Sequence, residues 1–120
     1  IVQRFTDSIR AYQGGGNGLD VNKIGDITEI AVNLKPDLTF LLRASEEKAI
    51  YRMSAGILKV DDENLRWLRA IRKTYQNVAE QEPRRIKVIS TESDDDGDAQ
   101  QKIHDHLTEF LRKVNYPIMA

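Results

Sequence analysis

The side chains best suited to chemistry stand at the start of the chain. Arg4 offers a planar fork of donors to a phosphate or carboxylate, and Ser8 places a hydroxyl four residues later, one helical turn on. Tyr12 follows at the next such step, so in a helix beginning near Thr6 the serine and the tyrosine share a face. Gln13 adds an amide beside them. Gly14, Gly15 and Gly16 come next, and the spacing predicts that they stop the helix and let the backbone turn or approach a ligand closely. Together these groups suit an anion at one end and a ring at the other. By spacing alone they also describe an amphipathic surface helix, with Arg4 in a surface ion pair and Tyr12 at the edge of a core.

The pattern extends beyond these side chains. Gln3-Arg4-Phe5, then Thr6-Asp7-Ser8, then Ala11-Tyr12-Gln13-Gly14 resemble the signature of nucleoside monophosphate kinases of the thymidylate kinase type: Asp-Arg-Tyr/Phe, a short helix with Ser or Thr, and Ala-Tyr-Gln-Gly. A second stretch keeps the order, from Gly18-Leu19-Asp20 into Leu34-Lys35-Pro36-Asp37-Leu38-Thr39-Phe40, which resembles the family's Pro-Asp-Leu-Thr strand.

The resemblance implies an α/β class, part of a P-loop-type nucleoside monophosphate kinase fold with a parallel sheet flanked by helices. Residues 1–120 would form the C-terminal portion of one such domain. The implied activity is ATP-dependent phosphorylation of dTMP to dTDP, a step of nucleotide biosynthesis, with Mg²⁺. Carried over residue by residue, Arg4 would be the catalytic contact to the acceptor phosphate. Ser8 and Gln13 would line the pocket near the base, and Tyr12 would pack beside the sugar. Arg52 matches a nucleotide-facing arginine before the lid, and the loop around Ser90 and Thr91 would border the adenine.

The sequence departs from the family at several places. Gln3 replaces the acidic residue that opens the motif, and Ile9 stands where Ser, Thr or Asn is usual. Ser54 and Gly56 occupy places where many bacterial members have arginines, and Lys59-Val60-Asp61-Asp62 replaces the usual Asp-Arg-x-Glu. No stretch has the phosphate-loop form G-x-x-x-x-G-K-[ST]. The expected partners are therefore dTMP, ATP and an N-terminal half or partner chain that carries this loop, with a homodimer also open. The competing expectation is a degenerate kinase-fold module that binds a nucleotide or a partner without turnover.

Composition narrows the classes further. At 120 residues with 40% hydrophobic content the chain is the size of one domain. The absence of Cys removes disulfides, thiolate catalysis and zinc–thiolate sites, and a net charge of -1 argues against a nucleic-acid binder. No apolar run is long enough to span a bilayer and no basic-apolar leader stands at the start, so the expected place is the cytoplasm. The acidic run from Glu92 to Asp98 does not match the calcium-loop spacing and reads as a solvated loop. His104 and His106, two apart, point to different sides of a helix, so no metal site is expected.

The elements that must position these groups follow from periodicity. Ile1-Val2 reads as the end of a buried strand delivering Arg4. Asp20 is a good N-cap for a helix to about Asn33, with Ile24, Ile27, Ala31 and Leu34 on one buried stripe. Leu38–Leu42 reads as a strand buried on both faces. Ser45 caps a helix carrying Ala49, Ile50 and Met53 that fades at Gly56. A long helix spans about 62–81 with Leu65, Leu68, Ile71 or Arg72, Tyr75 and Val78 inward and Trp67 partly exposed on its shoulder. Ile86–Ile89 is the next strand, and a last helix carries Ile103, Leu107, Phe110, Leu111 and Val114 and stops before Pro117. Strands separated by helices imply parallel pairing.

Overall fold

A computed structural model describes residues 1–54, 61–93 and 96–117. The elements run α1 (Thr6–Ile9), a π-helical segment (Arg10–Gly16), α2 (Val21–Val32), β1 (Thr39–Arg43), α3 (Glu46–Ser54), α4 (Asp62–Gln81), β2 (Ile86–Ser90) and α5 (Asp96–Lys113). β1 and β2 pair in parallel, from Thr39 opposite Ile86 to Arg43 opposite Ser90. A parallel pair needs a long crossover, and α3 and α4 provide it. The core gathers where α4 meets the sheet, with Val78, Ala79 and Ile86 buried and Leu41 packed against them. Ile71 and Ile89 are buried as well.

Local chemistry sets the helix starts. The Asp20 carboxylate accepts from Asn22 N at 2.9 Å and Lys23 N at 3.1 Å, and Asn33 ends α2 in the left-handed region at φ 49°. Asp61 caps α4 by accepting from Asn64 N at 2.9 Å. Ser45 Oγ accepts from Lys48 N at the head of α3. Ser45 is held in turn by Glu92, whose two carboxylate oxygens accept from its N at 2.7 Å and its Oγ at 2.8 Å. The loop after β2 is thereby tied to the loop after β1.

Several expectations are overturned. Ile1 and Val2 form no strand and are exposed, because no strand among the described residues lies beside them to complete a ladder. β1 is not buried on both faces: β2 pairs one edge, no described strand pairs the other, and Leu42 is 57% exposed. The stripe assigned to α2 faces solvent at Ile27 (64% exposed) and Leu34 (71%), while Gly25 and Thr28 are buried. The reason is Arg10, whose guanidinium lies so close over Gly25 that an added Cβ would stand 2.9 Å from Nη2. A small-residue face packs where an apolar one was expected. The end of α3 near Gly56 lies outside the described residues.

The glycines also act differently from expectation. They do not stop the first helix but carry it on as the π-helical segment, which rests on α4. A Cβ on Gly15 would collide with Thr74 Oγ1 and stand 2.8 Å from the Ala70 carbonyl oxygen, and one on Gly16 would stand 2.7 Å from Trp67 Nε1. The close approach that glycine permits is therefore to a helix. The turn comes later, at Gly18, with φ 77°.

Candidate functional site

Arg4, Ser8 and Tyr12 converge on one surface. Arg4 adopts φ 59°, a left-handed conformation uncommon for a side-chain-bearing residue. Its guanidinium carbon lies 5.2 Å from the centre of the Tyr12 ring, within reach of a cation–π contact. Ser8 Oγ and Tyr75 Oη are 2.7 Å apart, either able to donate. The Tyr12 ring is fixed by two edge-on aromatic contacts, to Trp67 at 5.6 Å and to Tyr75 at 6.5 Å. Desolvation first of all, then the nearby Tyr12 and Asp7, raise the Tyr75 phenol above its ordinary value against the lowering effects of Ser8 and Arg4. It is a neutral hydroxyl at physiological pH. Gln13, the next residue after Tyr12 in sequence, is exposed.

A bidentate ion pair anchors the segment that carries these groups. Arg85 Nη1 and Nη2 donate to Asp7 at 2.8 and 2.9 Å, Nη2 and Nε donate to Glu82 at 2.7 and 3.2 Å, and Nη1 also donates to Thr39 Oγ1 at 3.1 Å. All five guanidinium donors have a role. The Asp7 hydrogen bonds foremost, and then those of Glu82, push the Arg85 pKa up. Glu82, bonded to Arg85 and to Lys35 at 2.6 Å, is held down to about 2. Ser8 is the next residue after Asp7, so this ion pair fixes α1 on the end of α4 and the start of β2.

Arg52 and Thr91 meet elsewhere. Arg52 Nη2 donates to the Thr91 carbonyl at 2.9 Å, and Thr91 N donates to the Arg43 carbonyl at 2.7 Å. Both line an open cleft of about 420 Å³ with Leu42, Ser90, Ser93 and Asp98, at the carboxyl ends of the parallel strands, where open α/β sheets bind ligands. The structure thus brings the expected residues together in two groups, Arg4 with Ser8 and Tyr12, and Arg52 with Thr91. Ser54's side chain, Gly56, Lys59 and Val60 lie outside the described residues. No set of three or more His, Cys, Asp or Glu among the described residues could hold a metal.

Sequence reasoning missed the supports. Trp67 and Tyr75 are eight residues apart on α4 and so lie on one face, with Ile71 between them; read together, they would have marked an aromatic wall. Trp67 is partly exposed, as expected, but its ring also meets Tyr12 edge-on. The Asp7–Arg85 pair leaves no local signal, since its members are 78 residues apart.

The family model for thymidylate kinase matches residues 1–103. The chain belongs to the thymidylate kinase family. Among curated relatives, the thymidylate kinase of Oenococcus oeni is 39% identical over 94 residues, covering 74% of this chain and 44% of its own length. That of Prosthecochloris aestuarii is 35% identical over 123 residues, covering 92% of this chain and 53% of its own length. The crystal structure of thymidylate kinase from Ehrlichia chaffeensis superposes with a TM-score of 0.63 at 28% identity, over 88% of this chain and 48% of the other. The chain spans about half the length of the thymidylate kinases it matches. The two-stranded parallel sheet with its helices belongs to the α/β nucleoside monophosphate kinase fold of this family. No described helix is long and apolar enough to cross a membrane.

Proposed function

We propose that this chain supplies the acceptor side and the lid side of a dTMP kinase, with ATP as donor and Mg²⁺ at the donor phosphates. One observation carries the reading: in a member of this family, Arg4, Ser8 and Tyr12 share one surface backed by an aromatic wall on α4. There the Arg4 fork suits the phosphate of dTMP, and Ser8 with Gln13 suits its base. Arg52 and Thr91, at the cleft beyond the strand ends, suit the donor nucleotide. The residues present do not fit the triphosphate or the metal. The sequence has no phosphate-loop stretch with its lysine, and among the described residues no group of three or more His, Cys, Asp or Glu could hold a metal, so in this reading those contacts come from a segment or chain beyond these 120 residues. The reaction is cytoplasmic nucleotide synthesis in this reading.

Titration of dTMP and ATP into the chain, followed by NMR, tests the reading. Shifts from dTMP centred on Arg4, Ser8 and Tyr12, no tight ATP binding, and ADP release only after adding a phosphate-loop half are the expected results. Tight ATP binding with dTMP-dependent turnover by the chain alone would overturn the divided site. A second reading, a non-catalytic module, is favoured by Gln3 and by the absent phosphate loop. It gains if the protein from the complete reading frame binds nucleotide without turnover.

A further inference from the structure

α3 has no extended packing against another described element, and none of its residues from Glu46 to Arg52 is fully buried. Discrete polar bonds hold it instead. From α4, Arg69 bonds Glu46 in its first turn, and Arg72 Nη2 donates to the Ala44 carbonyl just before it at 2.8 Å. The other ties come from consecutive residues of the loop after β2. Glu92 accepts from Ser45 N at 2.7 Å and Ser45 Oγ at 2.8 Å, and the Thr91 carbonyl accepts from Arg52 Nη2 at 2.9 Å. Ser45 and Arg52 are seven positions apart, about two helical turns, and so lie on one side of α3. Thr91 has its own anchor, since its N and Oγ1 both donate to the Arg43 carbonyl, at 2.7 and 3.2 Å. Glu92 thus fixes the head of α3, while Arg43 fixes the carbonyl that Arg52 must reach.

We propose that Glu92 is a positioning residue: by holding the head of α3 it presents the Arg52 guanidinium, seated on Thr91, to an anionic ligand in the cleft. This rests on the reading above, in which that ligand is the donor nucleotide. Arg52 is exposed, and a long cation fixed before its ligand arrives loses less freedom on binding than one that must be ordered then. Without Glu92 the head of α3 keeps its ties to α4 but has no direct one to the loop that carries Thr91, so Arg52 and its acceptor no longer move as one. The bond from Ser45 N foremost, and then that from Ser45 Oγ, hold the Glu92 carboxyl below its ordinary range, which keeps it ionised for this role.

Dissociation constants for ATP with Mg²⁺ and for dTMP are measured with the protein expressed from its complete reading frame, as wild type, Glu92→Gln, Arg52→Ala and the double variant. Glutamine keeps the shape of the side chain but offers Ser45 one oxygen in place of two. Glu92 and Ser45 are exposed, so the effect is modest. Glu92→Gln is expected to weaken ATP binding roughly two- to fivefold, with dTMP affinity and the thermal midpoint little changed. Arg52→Ala is expected to weaken it at least as much. In the Arg52→Ala background the Glu92 change is expected to add nothing, the non-additivity of a residue that acts through another. An unaltered ATP affinity in Glu92→Gln overturns the proposal. So does a full loss that persists once Arg52 is gone, or an equal loss for dTMP, and each of these leaves the donor-cleft reading intact. ATP affinity that is absent in wild type, or unchanged by Arg52→Ala, overturns the donor-cleft reading, and the proposal with it.

Discussion

Arg4 is exposed and held by little beyond the Tyr12 ring, and its backbone sits in a conformation that costs of order 1 kcal/mol or more. In the proposed role that cost is offset by a charge-assisted contact to a phosphate. Arg4→Ala should weaken dTMP binding by about 1.5 kcal/mol, roughly tenfold, the lower end of the range for charged hydrogen bonds because solvent screens the site. Calorimetric titration checks it, and equal affinities would remove Arg4 from the acceptor site. Ile9, 40% exposed one residue after Ser8, brings no polar group to the base. Changing Ile9→Thr should sharpen discrimination of dTMP from dUMP and dCMP, read as ratios of kcat/KM.

At the scale of elements, the fit between the π-helical segment and α4 is tight enough to predict from one methyl group. Gly15→Ala would drive a Cβ into Thr74 and against the Ala70 carbonyl, which belongs to backbone and cannot swing away. The cost should be about 1–3 kcal/mol, seen as a lower thermal midpoint, and a midpoint equal to wild type would contradict the contact. The junction of α4 and β2 carries a pH dependence. Glu82 has its pKa lowered to about 2 from 4.5, so its contribution to stability is complete above about pH 4.5 and is lost as pH falls toward 2. Denaturant midpoints followed from pH 5 to pH 2 should fall more gently for Glu82→Gln than for wild type. What the sequence disclosed at this scale was local: the caps at Asp20 and Ser45, the span of α4 and the strand at Ile86 all have their determinants within a few residues. What it hid was relational. Which stripe of α2 packs was decided by Arg10 lying on Gly25, and what backs Tyr12 was decided by a helix more than fifty residues away.

For the whole molecule, the radius of gyration of 16.0 Å exceeds the roughly 13.6 Å expected of a self-contained domain of this length. The excess goes with exposed apolar side chains among the described residues: Ile27, Ile30 and Leu34 on and just after α2, and Leu42 and Val88 on the strands. A groove of about 320 Å³ between α4 and the sheet, lined by Leu41, Tyr75, Ala79 and Ile86 among others, is open to solvent. Such surface favours association. The isolated chain should show a weight-average mass that rises with concentration in sedimentation equilibrium, and adding a phosphate-loop half should suppress the rise. A monomer at all concentrations would count against the divided domain.

The Asp7–Arg85 pair joins residues 78 positions apart. Closing so long a loop is among the slower events available to a chain of this size, and its reward arrives only after α4 and β2 exist. The pair should therefore be absent from the folding transition state. Arg85→Ala would then leave the refolding rate nearly unchanged and put its whole cost into faster unfolding, a φ-value near zero by stopped-flow fluorescence of Trp67. During synthesis the order is the same: the segment bearing Arg4 and Ser8 is made before Arg85 and docks after it, so the acceptor surface takes its shape only once α4 and the start of β2 have been made.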